Sequence, residues 1–167
     1  KYYPFVDPGR VYVTYNGVDD DFYADPRSET FTVEDKTLIP RGYFLFVGSR
    51  GFCKNFPYAL RVVSEAHAQG LKIPLVIIGG GAFSKKEFAY SKQLGIPHHA
   101  IHQILVVSNP NLRILYSNCL ALLIPSIYEG FGLPAAEAAR CGALVLSARG
   151  SALDEIVGET DFSFDLA

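Results

Sequence analysis

Two acidic side chains, Glu129 and Glu137, bracket the stretch Gly130-Phe131-Gly132-Leu133-Pro134-Ala135-Ala136. Carboxylates accept hydrogen bonds from hydroxyls, and a glycine lets backbone approach a ligand with no Cβ in the way. Pro134 is tolerated only in a first helical turn, so the spacing predicts a helix that starts near Gly132 or Leu133. The open amide end of such a helix favours an anion, because its first N–H groups are unpaired and the helix dipole is positive there. Two readings of the carboxylates stay open at this point. Either both are solvated, or one or both accept from the hydroxyls of a phosphorylated, polyhydroxylated ligand held at the helix end.

A second loop, Gly48-Ser49-Arg50-Gly51-Phe52-Cys53-Lys54-Asn55, joins a planar guanidinium to a mobile ammonium, a combination suited to a pyrophosphate. It is not a P-loop, and Gly-x-Gly-x-x-Gly is absent. Gly79-Gly80-Gly81 is a third stretch against which a ligand can lie. Ser126 opens the acidic loop but lacks the Gly-x-Ser-x-Gly elbow of a nucleophile, so it counts as a binding group. His98, His99 and His102 have no fourth ligand and no His-Glu-x-x-His helix, and no metal is expected. Asp19-Asp20-Asp21 lacks the alternating ligands of a calcium loop and reads as a solvated turn. Cys119 and Cys141 read as small buried hydrophobes; Cys53 lies in the basic loop.

These loops need elements to hold them. Apolar runs predict strands at residues 43–47, 75–78, 104–107, 119–124 and 143–147, with a last short one at 162–164. Between them, helical spacing predicts helices at 56–68, capped by Asn55, at 84–94, from Ser108 or Asn109 with Leu112, Leu115 and Tyr116 inward, at 133–140 and at 151–157. Strand and helix alternate as βαβ units, which predicts an α/β fold: one Rossmann-like, doubly wound parallel sheet. In the strand order 3-2-1-4-5-6 the first and fourth strands are neighbours and ligand binds at their carboxyl ends. The basic and acidic loops should therefore face one another. Residues 1–40 read as an interdomain lead-in with a short strand at 10–15, and 41–167 as the domain itself, truncated at its C-terminus.

The 167 residues, 49% apolar and 13% aromatic, fit one folded domain with a substantial core. A formal charge of -2 gives no electrostatic case for nucleic acid or an anionic membrane. No apolar run approaches the roughly 18 residues that span a bilayer.

The stretch Glu129 to Glu137 resembles the Glu-x7-Glu signature of retaining glycosyltransferases with the GT-B fold, family 4 of the "glycosyltransferase group 1" type. The likeness runs through Tyr15-Asn16-Gly17-Val18-Asp19, Phe46-Val47-Gly48-Ser49-Arg50, Lys54-Asn55, Val76-Ile77-Ile78-Gly79-Gly80-Gly81, Cys141-Gly142 and the glycine-bounded stretch from Gly150 to Gly158. The resemblance implies a C-terminal, nucleotide-sugar-binding half, with the N-terminal acceptor-binding domain of the same polypeptide outside this chain. It implies no cofactor; the donor is a nucleoside-diphosphate sugar, GDP-, UDP- or ADP-linked, and the acceptor a saccharide or a lipid-linked one.

Residue by residue, the resemblance implies that Lys54 and a nearby arginine hold the diphosphate. Many members carry that arginine directly before the lysine, where this chain has Cys53, so Arg50 is the local substitute. It implies that the amides of Phe131, Gly132 and Leu133 meet phosphate, that Glu137 accepts from the ribose, and that Glu129 lies near the transferred sugar as an electrostatic ligand. Gly48 and Ser126 complete the walls, and the base is expected against Gly80 and the backbone around Ile104. Glu129, Lys54 and Arg50 are the expected catalytic groups, and the chain alone is expected to transfer nothing. A GT-B-like epimerase or phosphorylase half, or a non-catalytic nucleotide-binding module, is the alternative. The expected location is cytoplasmic, at the inner face of the membrane for the full-length protein, with any membrane or acceptor contact made by the missing part.

Overall fold

Short apolar runs without polar alternation become strands when both of their faces are covered. A computed structural model of the chain, which describes residues 4–158 and 163–166, has this arrangement. A small antiparallel hairpin, β1 (Phe31–Val33) and β2 (Lys36–Leu38), precedes the main sheet. Then follow β3 (Phe44–Val47), α1 (Phe56–Ala68), β4 (Leu75–Ile78), α2 (Lys85–Gln93), β5 (Ile101–Ile104), α3 (Asn109–Asn118), β6 (Ala121–Ile124), α4 (Leu133–Arg140), β7 (Val145–Ala148), α5 (Leu153–Val157) and β8 (Ser163–Phe164). The sheet runs β5-β4-β3-β6-β7-β8, parallel throughout. Counted from β3, that is the expected order 3-2-1-4-5-6.

The period of two along each strand divides the interior into two cores. Leu45, Val76, Ile78, Leu122 and Ile124 point to the face covered by Leu115 and Tyr116 of α3, Ala135 and Ala138 of α4, and Leu153 of α5. Phe44, Phe46, Leu75, Ile77, Ala121 and Leu123 point to the other, where α1 sets Phe56, Ala59, Leu60 and Val63 against them. Register keeps each set on its side, since Leu45 is level with both Val76 and Leu122. Each fully buried Leu, Ile, Val or Phe among them contributes about 1.5–3 kcal/mol of transfer free energy. Phe22, Val33 and Leu38 join the first core, so residues that precede position 41 pack on the same sheet.

Three local expectations are corrected and one element was not foreseen. The strand at 10–15 is absent: Pro8–Arg10 is a 3-10 turn, and Val11, Tyr12, Val13 and Tyr15 lie exposed in irregular chain. β-branched and aromatic residues favour a strand only where another strand pairs with them, and none among the described residues does. The third main strand is Ile101–Ile104, three residues earlier than the apolar run at 104–107; Leu105 and Val106 are exposed beyond it. This is an edge strand, so His102 and Gln103 can be half exposed where a central strand demands apolar residues. Asn55 does precede α1, but in the left-handed region at φ 48° and with no side-chain cap bond. The β1–β2 hairpin had no Asn-Gly or Asp-Gly turn to announce it; Glu34 takes the positive φ instead. Phe162 lies outside the described residues.

Candidate active site

Because every strand of the main sheet is parallel, the loops after β3, β4, β6 and β7 emerge on one edge. There the basic loop and the acidic loop are joined through the backbone: the Ile127 N–H donates to the Cys53 carbonyl at 2.8 Å. Their side chains meet as well. Lys54 Nζ donates to Glu129 Oε1 at 2.6 Å, and Ser126 Oγ donates to the same oxygen at 2.8 Å. The Lys54 side chain is 26% exposed and that of Glu129 is 11% exposed, so the pair is shielded from bulk solvent yet reachable. Ser126 is buried and thereby fixes Glu129 from beneath.

At the helix end, Gly132 caps α4 in the left-handed region at φ 94°, with Pro134 in the first turn. Among the described residues the amides of Phe131, Gly132 and Leu133 donate to no protein acceptor, while Ala135 and Ala136 turn back to the Gly132 carbonyl. A Cβ at Gly132 would stand 2.5 Å from Leu153 Cδ2, a side chain with no exposed surface. Gly132→Ala is therefore expected to cost about 2 kcal/mol, from left-handed strain together with overpacking against α5. A chemical-denaturation midpoint compared with that of Gly130→Ala, which has open space around it, checks this.

The structure gives Arg50 a place different from the one expected. Its side chain is 5% exposed and its guanidinium is committed. Nε donates to Glu87 Oε1 at 2.5 Å, Nη1 to the Gly79 carbonyl at 2.9 Å, and Nη2 to the carbonyls of Gly81 at 3.0 Å and Ala82 at 2.9 Å. The rings of Phe56 and Phe83 lie 5.6 Å from the guanidinium carbon. Arg50 is thus a clamp that binds the basic loop to the glycine turn, and Lys54 is the cation that meets the acidic loop. Gly80 has φ 73°, and a Cβ there would come 2.7 Å from Arg50 Nη1, so the turn is built around the clamp. Gln103 holds the same turn from β5, donating to Gly81 O and accepting from Phe83 N. Ile104 is buried, with its carbonyl taken by the Gly79 N–H at 3.1 Å. Gly48, at φ 119°, lies beside both, donating its N–H to the Ile78 carbonyl.

Glu137 stands one turn inside α4, apart from Glu129. Its Oε2 accepts from the Tyr116 hydroxyl at 2.9 Å. Burial raises its pKa above the ordinary 4.5, with the Tyr116 hydrogen bond working in the opposite direction. Oε1 has no hydrogen-bond partner among the described residues and is not sealed from solvent. A half-buried carboxylate with one oxygen held and one open is suited to accept from ligand hydroxyls.

Sequence reasoning named the carboxylates, Lys54, Ser126 and the glycines, but not Glu87, Gln103 or Tyr116 as supporting groups. Glu87 carried a readable signal. Ser84 and Glu87 form a capping box at the start of α2, a Ser-x-x-Glu pattern. The histidines fall elsewhere: with Lys36, Phe83 and Phe88 they line a separate cleft of about 410 Å³ along β5. His98 stacks on Phe88 at 5.2 Å, and burial lowers the His102 pKa. Among the described residues no group of three or more metal-ligating side chains assembles.

A family model described as "Glycosyl transferases group 1" matches residues 32–165. The chain is 27% identical over 158 residues to the O-antigen chain mannosyltransferase B of Escherichia coli, covering 93% of this chain and 42% of that protein. It is 30% identical over 153 residues to the D-rhamnosyltransferase WbpZ of Pseudomonas aeruginosa, covering 89% of this chain and 38% of that one. It thus spans about two fifths of the length of these relatives. Among solved structures, the C-terminal domain of the glycosyl transferase group 1 family protein LpcC from Francisella tularensis superposes with a TM-score of 0.62 at 22% identity, covering 76% of this chain and 69% of that one.

Proposed function

Since the chain belongs to the glycosyl transferases group 1 family, we propose that it is the donor-binding half of a retaining glycosyltransferase and takes a nucleoside-diphosphate sugar at the β3–β6 edge. One observation carries this reading: the backbone-joined loops set Lys54 against Glu129 on the edge where three amides at the α4 start are unpaired among the described residues. Without ligand, the Lys54 charge is balanced by Glu129. A diphosphate competes for Lys54 and brings its second charge to the amides of Phe131, Gly132 and Leu133. Glu129 keeps its Ser126 hydrogen bond when Lys54 turns, so it remains in place facing the donor sugar.

In the transfer step the bond from the anomeric carbon to the diphosphate breaks, an acceptor hydroxyl oxygen bonds to that carbon and its proton passes to the departing diphosphate, on whose oxygen negative charge grows. Lys54 and the amides stabilise that charge from fixed positions, the kind of preorganised electrostatics that lowers a barrier. Glu129 faces the positive charge that develops on the sugar ring. Glu137 accepts from the ribose hydroxyls, and the Arg50 clamp shapes the glycine turn on the base side. The names of the relatives support a mannosyl or rhamnosyl donor, linked to GDP, UDP or ADP. The acceptor, a saccharide or a lipid-linked one, binds a domain outside this chain, and membrane association resides there too. No helix among the described residues is long and apolar enough to cross a membrane.

Glu137→Gln tests the ribose assignment. It is expected to weaken binding of a nucleoside diphosphate by about tenfold or more, the equivalent of a charged hydrogen bond of about 1.5–3 kcal/mol. The same substitution should leave the 2′,3′-dideoxy analogue nearly unaffected. Equal losses for the two ligands in a calorimetric titration would remove Glu137 from the ribose site.

Acid should act in the same sense. Binding needs Glu137 ionised, and burial holds its pKa above 4.5 in the free protein, so affinity falls as pH drops through that raised value. Stability moves the other way. A raised carboxyl favours the folded state below its unfolded pKa, and that contribution is lost as pH rises through the folded one. Titrations across the acid range, with melting curves at the same pH values, check both signs.

A further inference from the structure

We infer that Tyr116 is a positioning residue for nucleotide binding: its buried hydroxyl holds Glu137 Oε2 so that Oε1 alone is presented to a ligand ribose. The inference rests on the site reading above and deepens it. Tyr116 has no exposed surface, so its hydroxyl cannot turn to water. Its ring is fixed in the first core, with the Phe22 ring 6.0 Å away. The hydroxyl donates to Glu137 at 2.9 Å across the α3–α4 boundary, and no other hydrogen bond to that carboxylate exists among the described residues. A glutamate has three rotatable bonds, and fixing one oxygen removes most of their freedom before ligand arrives. A tyrosine whose only task was to fill the core would have no use for a hydroxyl. Here the hydroxyl reaches a carboxylate that is otherwise left to solvent.

The surroundings isolate this pair. The charged or titratable residues on the elements packed against α4 are Arg113 and Tyr116 of α3, Cys119 just after it, and Asp154 and Glu155 of α5; β6 and β7 contribute none. Arg113 is paired with Asp25, Asp154 accepts from the Gly150 N–H, and Glu155 accepts from the Tyr15 hydroxyl. On α4, Arg140 reaches away to Asp20 and the Val18 carbonyl, and Cys141, just after the helix, is a buried thiol whose pKa burial raises. Tyr116 is the one group among them that touches the Glu137 carboxylate. Removing its hydroxyl also removes the donor that favours the ionised form, so the carboxyl should be harder to ionise.

The test is Tyr116→Phe in the full 167-residue chain, with the fold confirmed by circular dichroism. Titration with ADP, GDP and UDP and with their 2′,3′-dideoxy forms should show three- to tenfold weaker binding of the ribonucleotides and unchanged binding of the dideoxy forms. The acid limb of the affinity profile should also move to higher pH. A packing role alone would lower both affinities together and leave the acid limb where it was, and that result overturns the inference. Should the variant not fold, the unsubstituted protein carries the test through 13C-labelled tyrosine. The Tyr116 Cζ resonance should follow the ionisation of Glu137, and a resonance that ignores it overturns the inference equally. If the unsubstituted protein binds no nucleotide, the site reading itself falls and takes the inference with it. If it binds with full ribose dependence and Tyr116→Phe changes nothing, the inference alone falls.

Discussion

Lys54→Ala is expected to weaken nucleoside diphosphate binding about 100-fold while leaving the fold intact. Two losses act in the same direction. The diphosphate loses a charge-assisted hydrogen bond of about 1.5–3 kcal/mol. Glu129, whose side chain is 11% exposed, loses its cation and leaves an uncompensated negative charge in the space the phosphate needs. At an effective dielectric constant near 20, a like charge a few ångströms away adds roughly a further kcal/mol or more against the anion. Glu129→Gln in the Lys54→Ala background should recover part of the affinity by removing that repulsion, and Lys54→Arg should retain most of it. Calorimetry with ADP and with adenosine separates the effect from general damage, since the nucleoside has no charge to lose and its weaker binding should not change.

Arg50→Ala is expected to destabilise the protein by about 3 kcal/mol, the usual scale for breaking a buried pair by removing one partner. The guanidinium serves one carboxylate and three carbonyls, and it sits between two aromatic rings. Lysine cannot supply that planar fork, so Arg50→Lys should recover little. Burial works against ionised Glu87, but the hydrogen bonds from Arg50 and Ser84 outweigh it and hold its pKa below the ordinary value. A depressed carboxyl stabilises above its unfolded pKa, and that stability is lost as pH falls through the folded one. The variant's stability should therefore depend less on pH in the acid range. Denaturant melts at neutral and acid pH measure both effects. A diphosphate-binding role with no part in folding predicts the opposite outcome: full stability and lost affinity.

Arg50 also marks the limit of what sequence can specify. Its type and its neighbours suited a phosphate, and the resemblance offered it as the substitute for an arginine that many members carry beside the lysine. What decides its role is the distance to Glu87 and to the glycine turn, 29 to 37 positions further along the chain, and no local pattern encodes that distance. The same limit applies to Tyr116. Helical spacing placed its ring correctly in the core, but its hydroxyl partner lies on another helix.

Elements with a strong local cause were legible. α1 and α4 fall on the expected residues because apolar period and proline position agree in both. The sheet has the common doubly wound order expected for alternating βαβ units, and that order brings Lys54 and Glu129, 75 positions apart in the chain, into a hydrogen bond. Where β-propensity alone spoke, at residues 10–15, no strand formed, and the apolar run at 104–107 placed the third main strand three residues late. Propensity describes a fit to neighbours, and neighbours are not visible in one stretch of chain. The β1–β2 hairpin escaped for the converse reason: its strands are three residues each and its stability comes from Val33 and Leu38 in the common core.

The central claim is that the joined loops form a nucleoside diphosphate site, and calorimetric titration of the folded chain with UDP, GDP and ADP tests it most directly. Saturable binding of at least one of the three is expected, weakened by Lys54→Ala and by Glu137→Gln. No heat with any of them, in a sample whose fold is confirmed by circular dichroism, would contradict it.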